Sequence, residues 1–532
     1  PMRTHAPLGG SPALNAASDC TAISGNPIAT DQRGLARPQA GVCDIGAIEV
    51  HTAPPAATVI NADAVSGVGV VAVRTDGLCS LREAFENANS TSASFLHPEC
   101  EPGHVAGLDQ IVLPPGAVYT LTDAAVTAPL GRTGLPPVSS LIAVQGNGAT
   151  IQSGNACTFN STQAAGEFRL LLVQSGTLGT QNLTLANGCA DGGTGARDGG
   201  AIYVAAGAGA NLLNTTLRSN RARSGGAVYS EGSVLLQGST LSANTATFGG
   251  AIYTNGTATL SNATVSGNSA TSLGGAGYLL TGGTFNIEQS TLFNNTSAQL
   301  AGIYANAATV NLKNSILANT RCVENTDVTP STWSGSGNSL DDGMTCATRF
   351  GANVASNSVL LMAPLADHGG ATETHALLPG SPAIEAATVC TRINGSSITV
   401  DQRGIARPQN LVCDIGAFES RGFAVTAVSG GGQSTVVNAP FANPLVVAVS
   451  SNFGEPVNGG RVSFSAALSG PSLNPPTSTI SIAGGQASLA ATANAVAGNH
   501  VVTATTRGSL LSLPFNLSNL PVSANIFANG FE

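Results

Sequence analysis

Five tyrosines, Tyr203, Tyr229, Tyr253, Tyr278 and Tyr304, recur about 25 residues apart through the middle of the chain. Four close a Gly-Gly-Ala-x-Tyr phrase beginning at Gly199, Gly225, Gly249 and Gly274, and the fifth closes a worn copy, Ala301-Gly302-Ile303-Tyr304. About sixteen residues after each tyrosine stands an asparagine: Asn220, Asn244, Asn268, Asn295 and Asn319. A short period of this kind belongs to one supersecondary unit, repeated and stacked, whose hydrophobic face is covered only by its neighbours. The chain is constrained to a rod.

The unit reads as strands. In Gly249–Leu273 the pieces Ala251-Ile252-Tyr253-Thr254, Ala258-Thr259-Leu260 and Ala263-Thr264-Val265 are β-favouring and separated by Gly or Asn turn signals. Apolar residues do not recur there at helical spacing. Three such strands predict one coil of a parallel β-helix, each pairing with the next coil about 4.8 Å away. Leu217, Leu241, Val265, Leu292 and Ile316 read as one interior column. The asparagines can stack at a turn, each amide bonding the one above, because Asn tolerates left-handed backbone. Paired glycines permit another tight corner. The tyrosine column reads as structural stacking, with a sugar-stacking strip as the alternative.

Composition agrees with a stacked β-solid: 532 residues, 65 of them glycine, with 9% charged. The net charge of −9 comes without an acidic or basic run, which argues against nucleic acid and anionic membrane as partners. No apolar run is long enough for a transmembrane helix. The ten cysteines fall in order into local pairs, Cys20/Cys43, Cys79/Cys100, Cys157/Cys189, Cys322/Cys346 and Cys390/Cys413. None has C-x-x-C spacing, so loop-closing disulfides in an oxidising compartment are expected, although ten cysteines allow many connectivities.

A second repeat is long-range. Thr4–Glu49 and Thr374–Glu419 align without a gap, with roughly 30 of 46 positions identical. Both contain Asp-Gln-Arg-Gly-x-Ala-Arg-Pro-Gln and Val-Cys-Asp-Ile-Gly-Ala, with the same cysteine spacing. A polar, disulfide-closed segment after a stack of coils suits an exposed solenoid end, so 371–420 is expected to be a C-terminal cap. Residues 1–50 are then the cap of an upstream unit in a longer tandem chain. At the other end, Ser80 and Glu83 form a capping box, and Leu81, Ala84, Phe85 and Ala88 give one apolar face. A short helix laid across the first coil is expected, with Asp109–Leu113 opening the coils.

The Cys79–Asn89 stretch resembles the CSLREA domain. Gly380–Glu419 resembles the C-terminal segment that accompanies it in choice-of-anchor surface proteins, and the glycine repeats resemble those of polymorphic outer-membrane proteins. Together these cover residues 58–420. The resemblance implies a secreted or cell-surface bacterial protein, associated with the outer membrane and built on a right-handed parallel β-helix. It brings no catalytic residues, and the membrane β-barrel that ends the polymorphic proteins is missing from this sequence. Beyond Arg421 alternating runs such as Leu445–Val449, Arg461–Ser465 and Val501–Thr505 suggest a seven-strand sandwich. That stretch resembles the bacterial Ig-like domains of invasin-type adhesins.

The expected fold is therefore all-β, a capped right-handed parallel β-helix followed by an Ig-like β-sandwich. The units run 1–50 (upstream cap), 58–135 (N-terminal cap and first coils), 136–370 (coils), 371–420 (C-terminal cap), 421–520 (sandwich) and 521–532 (tail). The tail Ile526–Glu532 reads as a sorting signal or a disordered terminus.

β-Helices also serve as polysaccharide lyases and hydrolases, which need acids and bases gathered on adjacent coils. Across Gly199–Thr320 the charges are Arg218, Arg221, Arg223, Glu231, Glu288 and Lys313, read as not sharing a column. Asp191, Asp198, Asp341, Asp342, Asp367 and His368 read as turn-formers or solvated loop residues, and Asp401 with Arg403 as a structural ion pair. No catalytic, cofactor or metal residue is assigned. The expectation is a monomeric, non-enzymatic surface protein contacting glycans or extracellular host proteins. A polysaccharide lyase or glycoside hydrolase, and a passive spacer, are the alternatives.

Overall fold

The structure is a computed structural model. It describes residues 21, 28–29, 58–61, 78–90, 96–97, 99–104, 107–128, 130–158, 166–190, 197–343, 345–356 and 359–522. The N-terminal repeat copy with Cys20 and Cys43, Asp191 and the C-terminal tail lie outside these residues.

Successive coils stack strand over strand in parallel register, forming an all-β solenoid. Among the described residues its three sheets hold 17, 7 and 5 strands. One coil shows the plan: Ile252–Thr254 lies in the seven-stranded sheet, Thr257–Ser261 and Thr264–Ser266 share the long sheet, and Ser269–Leu273 lies in the five-stranded sheet. The coil thus has a fourth strand that the sequence reading left out. Ser269–Leu273 is polar and short, and stacking between Thr245–Phe248 and Thr296–Ser297 makes it a strand.

Corners explain the small residues. Gly225 has φ 65°, and a Cβ on the next residue, Gly226, would meet the Gly250 carbonyl oxygen at 2.2 Å. A second corner folds the long sheet at Asn214, Asn262 and Asn314, with φ 48°, 48° and 46°. Inside, Leu217, Leu241, Val265 and Leu292 stack as one column, but its next member is Leu317. Ile316 pairs with Thr291 in the outward column beside it.

The same one-residue offset corrects the asparagine ladder. Asn220, Asn244, Asn268 and Asn295 are buried, and their side chains link at 3.0, 2.9 and 2.9 Å. The next slot belongs to Thr320, whose hydroxyl accepts from Asn295 at 3.5 Å. Asn319 instead takes the left-handed corner, with φ 44°, and donates to Asn294 at 2.6 Å. The doublet Asn294-Asn295 supplies both slots in one coil, so sequence spacing matched the wrong one.

At the N-terminal end, helix α1 (Leu81–Asn89) carries its capping box: Ser80 and Glu83 bond each other's backbone N–H, at 3.3 and 2.8 Å. Leu81, Ala84, Phe85 and Ala88 enter the main core. The strand Thr58–Asn61 pairs outside Leu108–Val112, so the sheet begins before the expected first strand.

The C-terminal seal lies elsewhere than expected. Helix α2 (Cys346–Phe350) and the adjoining Val354 close the main core, with Phe350 edge-on to Trp333 at 5.2 Å. The 371–420 segment runs back along the flank of the long sheet. Gln402 bonds Thr264 and Thr240 at 2.6 and 2.8 Å, and Asn262 and Asn314 donate to the Val400 and Val389 carbonyls, both at 2.7 Å. The segment is better called a strap. The outward column of Thr240, Thr264, Thr291 and Ile316 is where it seats, a reason for those positions invisible in a single coil.

Cys79–Cys100, Cys157–Cys189, Cys322–Cys346 and Cys390–Cys413 are disulfide-bonded. Residues 424–520 form a three-stranded sheet and a five-stranded sheet, one strand more than the sequence reading. Within the five-stranded sheet, Ser434–Val436 pairs in parallel with Leu513–Leu520. These sheets, the strap and Ile316 share one hydrophobic core.

Candidate functional site

The tyrosines stand on the outer side of the seven-stranded sheet, because Ile202 and Val204 on either side of Tyr203 point into the core. Their rings stack from Tyr203 to Tyr304 with centroids 4.8, 5.1, 5.0 and 5.1 Å apart. Each interior ring is covered on both faces by its neighbours. A sugar ring needs an open aromatic face, so the column between its ends can offer solvent only ring edges and hydroxyls. Burial, followed by neighbouring Tyr278 and Asp198, pushes Tyr253 up to about 12. Tyr203 and Tyr229 are raised further, first by burial and then by Glu231 and Asp198. These phenols stay neutral and are poor bases.

The head of the column carries a charged cluster that no motif announced. Arg169 is fully buried, with its guanidinium carbon 4.9 Å from the Tyr203 ring centroid. It donates to the carbonyls of Asp198 at 3.1 Å and Leu130 at 2.5 Å. Burial lowers it to about 10, which leaves it cationic at neutral pH. Asp198 is raised by burial, against the opposing pull of Ser224, Arg169 and Arg223. Glu231 accepts from the Tyr229 hydroxyl at 3.5 Å. Asp198 therefore belongs to a structured cluster and is more than a loop turn. The available sequence signal was the coil period, which brings residues from successive coils to one corner.

Several of the remaining charges are occupied structurally. Glu288 and Lys313 do share a column, as register partners on the long sheet, contrary to the sequence reading. Arg392 of the strap pairs with Glu288 at 3.0 Å, and Lys313 donates to Thr391 and the Arg392 carbonyl at 2.8 and 2.9 Å. Arg403 pairs with Asp401 at 2.8 Å and lies 3.4 Å from the Phe418 ring centroid. Arg407 pairs with buried Glu419 at 3.1 Å. Burial raises Glu419, and raises Asp414 well above the usual carboxylate value with Glu419 adding to it. Both carboxylates accept backbone N–H groups inside the strap. Asp341 accepts from the Ala347 N–H in α2, and Asp367 from the Gly369 N–H in a turn.

Among the described residues one trio, Cys157, Glu167 and Cys189, lies within metal-binding reach. The two sulfurs are bonded to each other, and Glu167 accepts from Thr158 N–H and hydroxyl at 2.8 and 2.7 Å, so the trio is structural. Among the described residues no helix is long and apolar enough to cross a membrane. No protein-family model, curated protein or solved structure matches the chain.

Proposed function

We propose that this chain is a secreted or cell-surface protein whose rigid solenoid presents an extended surface to glycans or partner proteins. The observation that carries this reading is the strap: a solenoid already closed at both ends is also clamped along its flank and joined to a second β-module by one shared core. That construction resists bending and exposes long side-chain columns. Four disulfides, with no free cysteine among the described residues, suit an oxidising exterior. The capped helix within the CSLREA-like stretch supports the surface-protein resemblance, and the two-sheet module supports the Ig-like one. A right-handed coil follows from strand twist acting on parallel crossovers.

The test measures protease accessibility on intact producing cells, together with retention of purified protein on glycan and extracellular-matrix arrays. Surface exposure with retention is the expected result. Confinement to the cell interior, or retention on no surface, would remove the proposal.

A second reading, an enzyme acting on polysaccharides, is favoured by the head of the tyrosine column. Asp198, Glu231, Arg169 and Arg223 converge there beside two raised phenols. Release of unsaturated or reducing ends from acidic polysaccharides, abolished in both Asp198→Asn and Glu231→Gln, would replace the adhesive reading with this one.

A further inference from the structure

Thr257–Ser261 and its register partners in the long sheet present three outward columns, and of these three the strap occupies only the third. In that column Arg392 donates to Ser261 at 2.6 Å and Gln237 at 3.4 Å, besides pairing with Glu288. The first two columns continue the same surface with no strap residue bonded to them. Thr257, Thr284 and Thr309 stack in one, and Thr259, Asn286 and Asn311 in the other. From Thr177 to Thr332 in the first column, and Gly179 to Ser334 in the second, no residue is charged. All six named side chains are exposed or half-buried.

We infer that these two columns are the docking face for an extended neutral polysaccharide lying along the solenoid axis. This inference rests on the surface-protein reading and names the ligand class. Rows repeat about 4.8 Å apart along the axis and about 6.6 Å along each strand, so from Thr257 to Ser334 the face is a lattice of hydroxyls and amides, preceded in the earlier coils by Gly179, Gly209 and Leu235. Each group can both donate and accept, or pairs with one that does, which suits sugar hydroxyls. Nothing in the columns attracts an acidic polymer. The strap solves its own docking with arginine, lysine and carbonyl contacts that these columns lack.

The lattice is also ordered in advance. Asn286 donates to Thr259 at 3.2 Å and Asn311 to Asn286 at 2.8 Å. Fixing those amides reduces the ordering entropy lost on binding. In the third column the sheet holds a chain laid over its coils through its own side chains, which bond that chain's side chains and backbone.

The experiment is a depletion isotherm of the full chain on microcrystalline cellulose, chitin and insoluble mannan, with a polygalacturonate gel as the acidic arm. Thr257→Val/Thr284→Val/Thr309→Val keeps volume and β preference but removes three hydroxyls. It should weaken retention about tenfold or more with melting unchanged. Thr284→Lys is the second face variant, and Thr245→Val on the five-stranded sheet should bind as the parent does. Retention on no neutral polysaccharide, retention on the acidic gel alone, or an unaffected folded face variant overturns the inference. Growth arrest of ice crystals without polysaccharide retention overturns it too. An unaffected face variant with intact surface adhesion defeats this inference alone and leaves the broader proposal standing.

Discussion

Leu300 occupies a corner where the other coils use glycine. The Gly249 and Gly274 positions have φ 67° and 76°, and Leu300 has φ 59° with its side chain 61% exposed. Left-handed backbone costs a non-glycine residue about 1–2 kcal/mol, partly offset by the greater unfolded freedom of glycine. Leu300→Gly should therefore stabilise the protein by about 0.5–1 kcal/mol in denaturant titration. His375 behaves differently. Its Nε2 lies 2.9 Å from the Ser266 hydroxyl, Nδ1 faces the Ala363 carbonyl at 2.8 Å, and burial lowers it to about 4. Between its ordinary value of 6.5 and about 4 the unfolded chain takes up a proton that the folded one refuses. Stability from this group is thus complete above that window and lost as pH falls through it. Asp414 and Glu419, both raised, act oppositely: protonation of the folded strap makes it relatively more stable toward acid. His375→Gln should flatten the acid-side loss between pH 6.5 and 4, read as midpoint against pH, while the carboxylate effect persists.

Among the elements, the asparagine ladder shows why one amide per coil is placed inside a corner. Asn268 accepts from both the backbone and side-chain N–H of Asn244, each at 2.9 Å, and donates to Leu241 and Asn295 at 3.0 and 2.9 Å. Removing it takes a partner from Asn244 and Leu241 on one neighbouring coil and from Asn295 on the other. Asn268→Ala should destabilise by roughly 3 kcal/mol, more than a single lost hydrogen bond. Thr320→Val should cost only about 1 kcal/mol, because the hydroxyl there ends the ladder. Unfolding free energies of the two variants check the ranking, and equal costs would show that the amides do not act as a column. The ladder's existence was legible in Asn220, Asn244 and Asn268 because equal spacing implies equal environment. Its last member was not, since a one-residue change in corner length exchanges inside for outside.

For the whole molecule, Glu455 sits at the junction of strap and C-terminal module. It is 7% exposed and accepts from the Ser420 hydroxyl at 2.9 Å and the Arg421 N–H at 3.1 Å, with Arg403 at 3.6 Å. Arg461 N–H adds a bond to the Pro379 carbonyl at 2.8 Å, and Gly380 N–H one to the Arg507 carbonyl at 3.1 Å. Strap and module are therefore expected to unfold as one cooperative unit. Glu455→Ala leaves two arginines short of a carboxylate in a buried setting and should cost roughly 3 kcal/mol. Calorimetry should then resolve a separate, earlier transition for the module. Separate transitions in the parent protein would contradict the coupling.

The sequence by itself determined the solenoid, because a repeat near 25 residues with glycine, asparagine and tyrosine at fixed offsets admits few other ways to bury its apolar columns. It likewise determined α1, whose capping box is local chemistry. Only the tertiary structure decided where 371–420 goes. A polar, disulfide-closed segment has the composition of an end cap and of a flank strap alike. The choice depends on the outward Thr column meeting Gln402 across 138 residues. The same holds for Asp198 beside Arg169 and for the open Thr/Asn face: each arises from stacking, and long-range register is a property of the assembled column that no single coil contains.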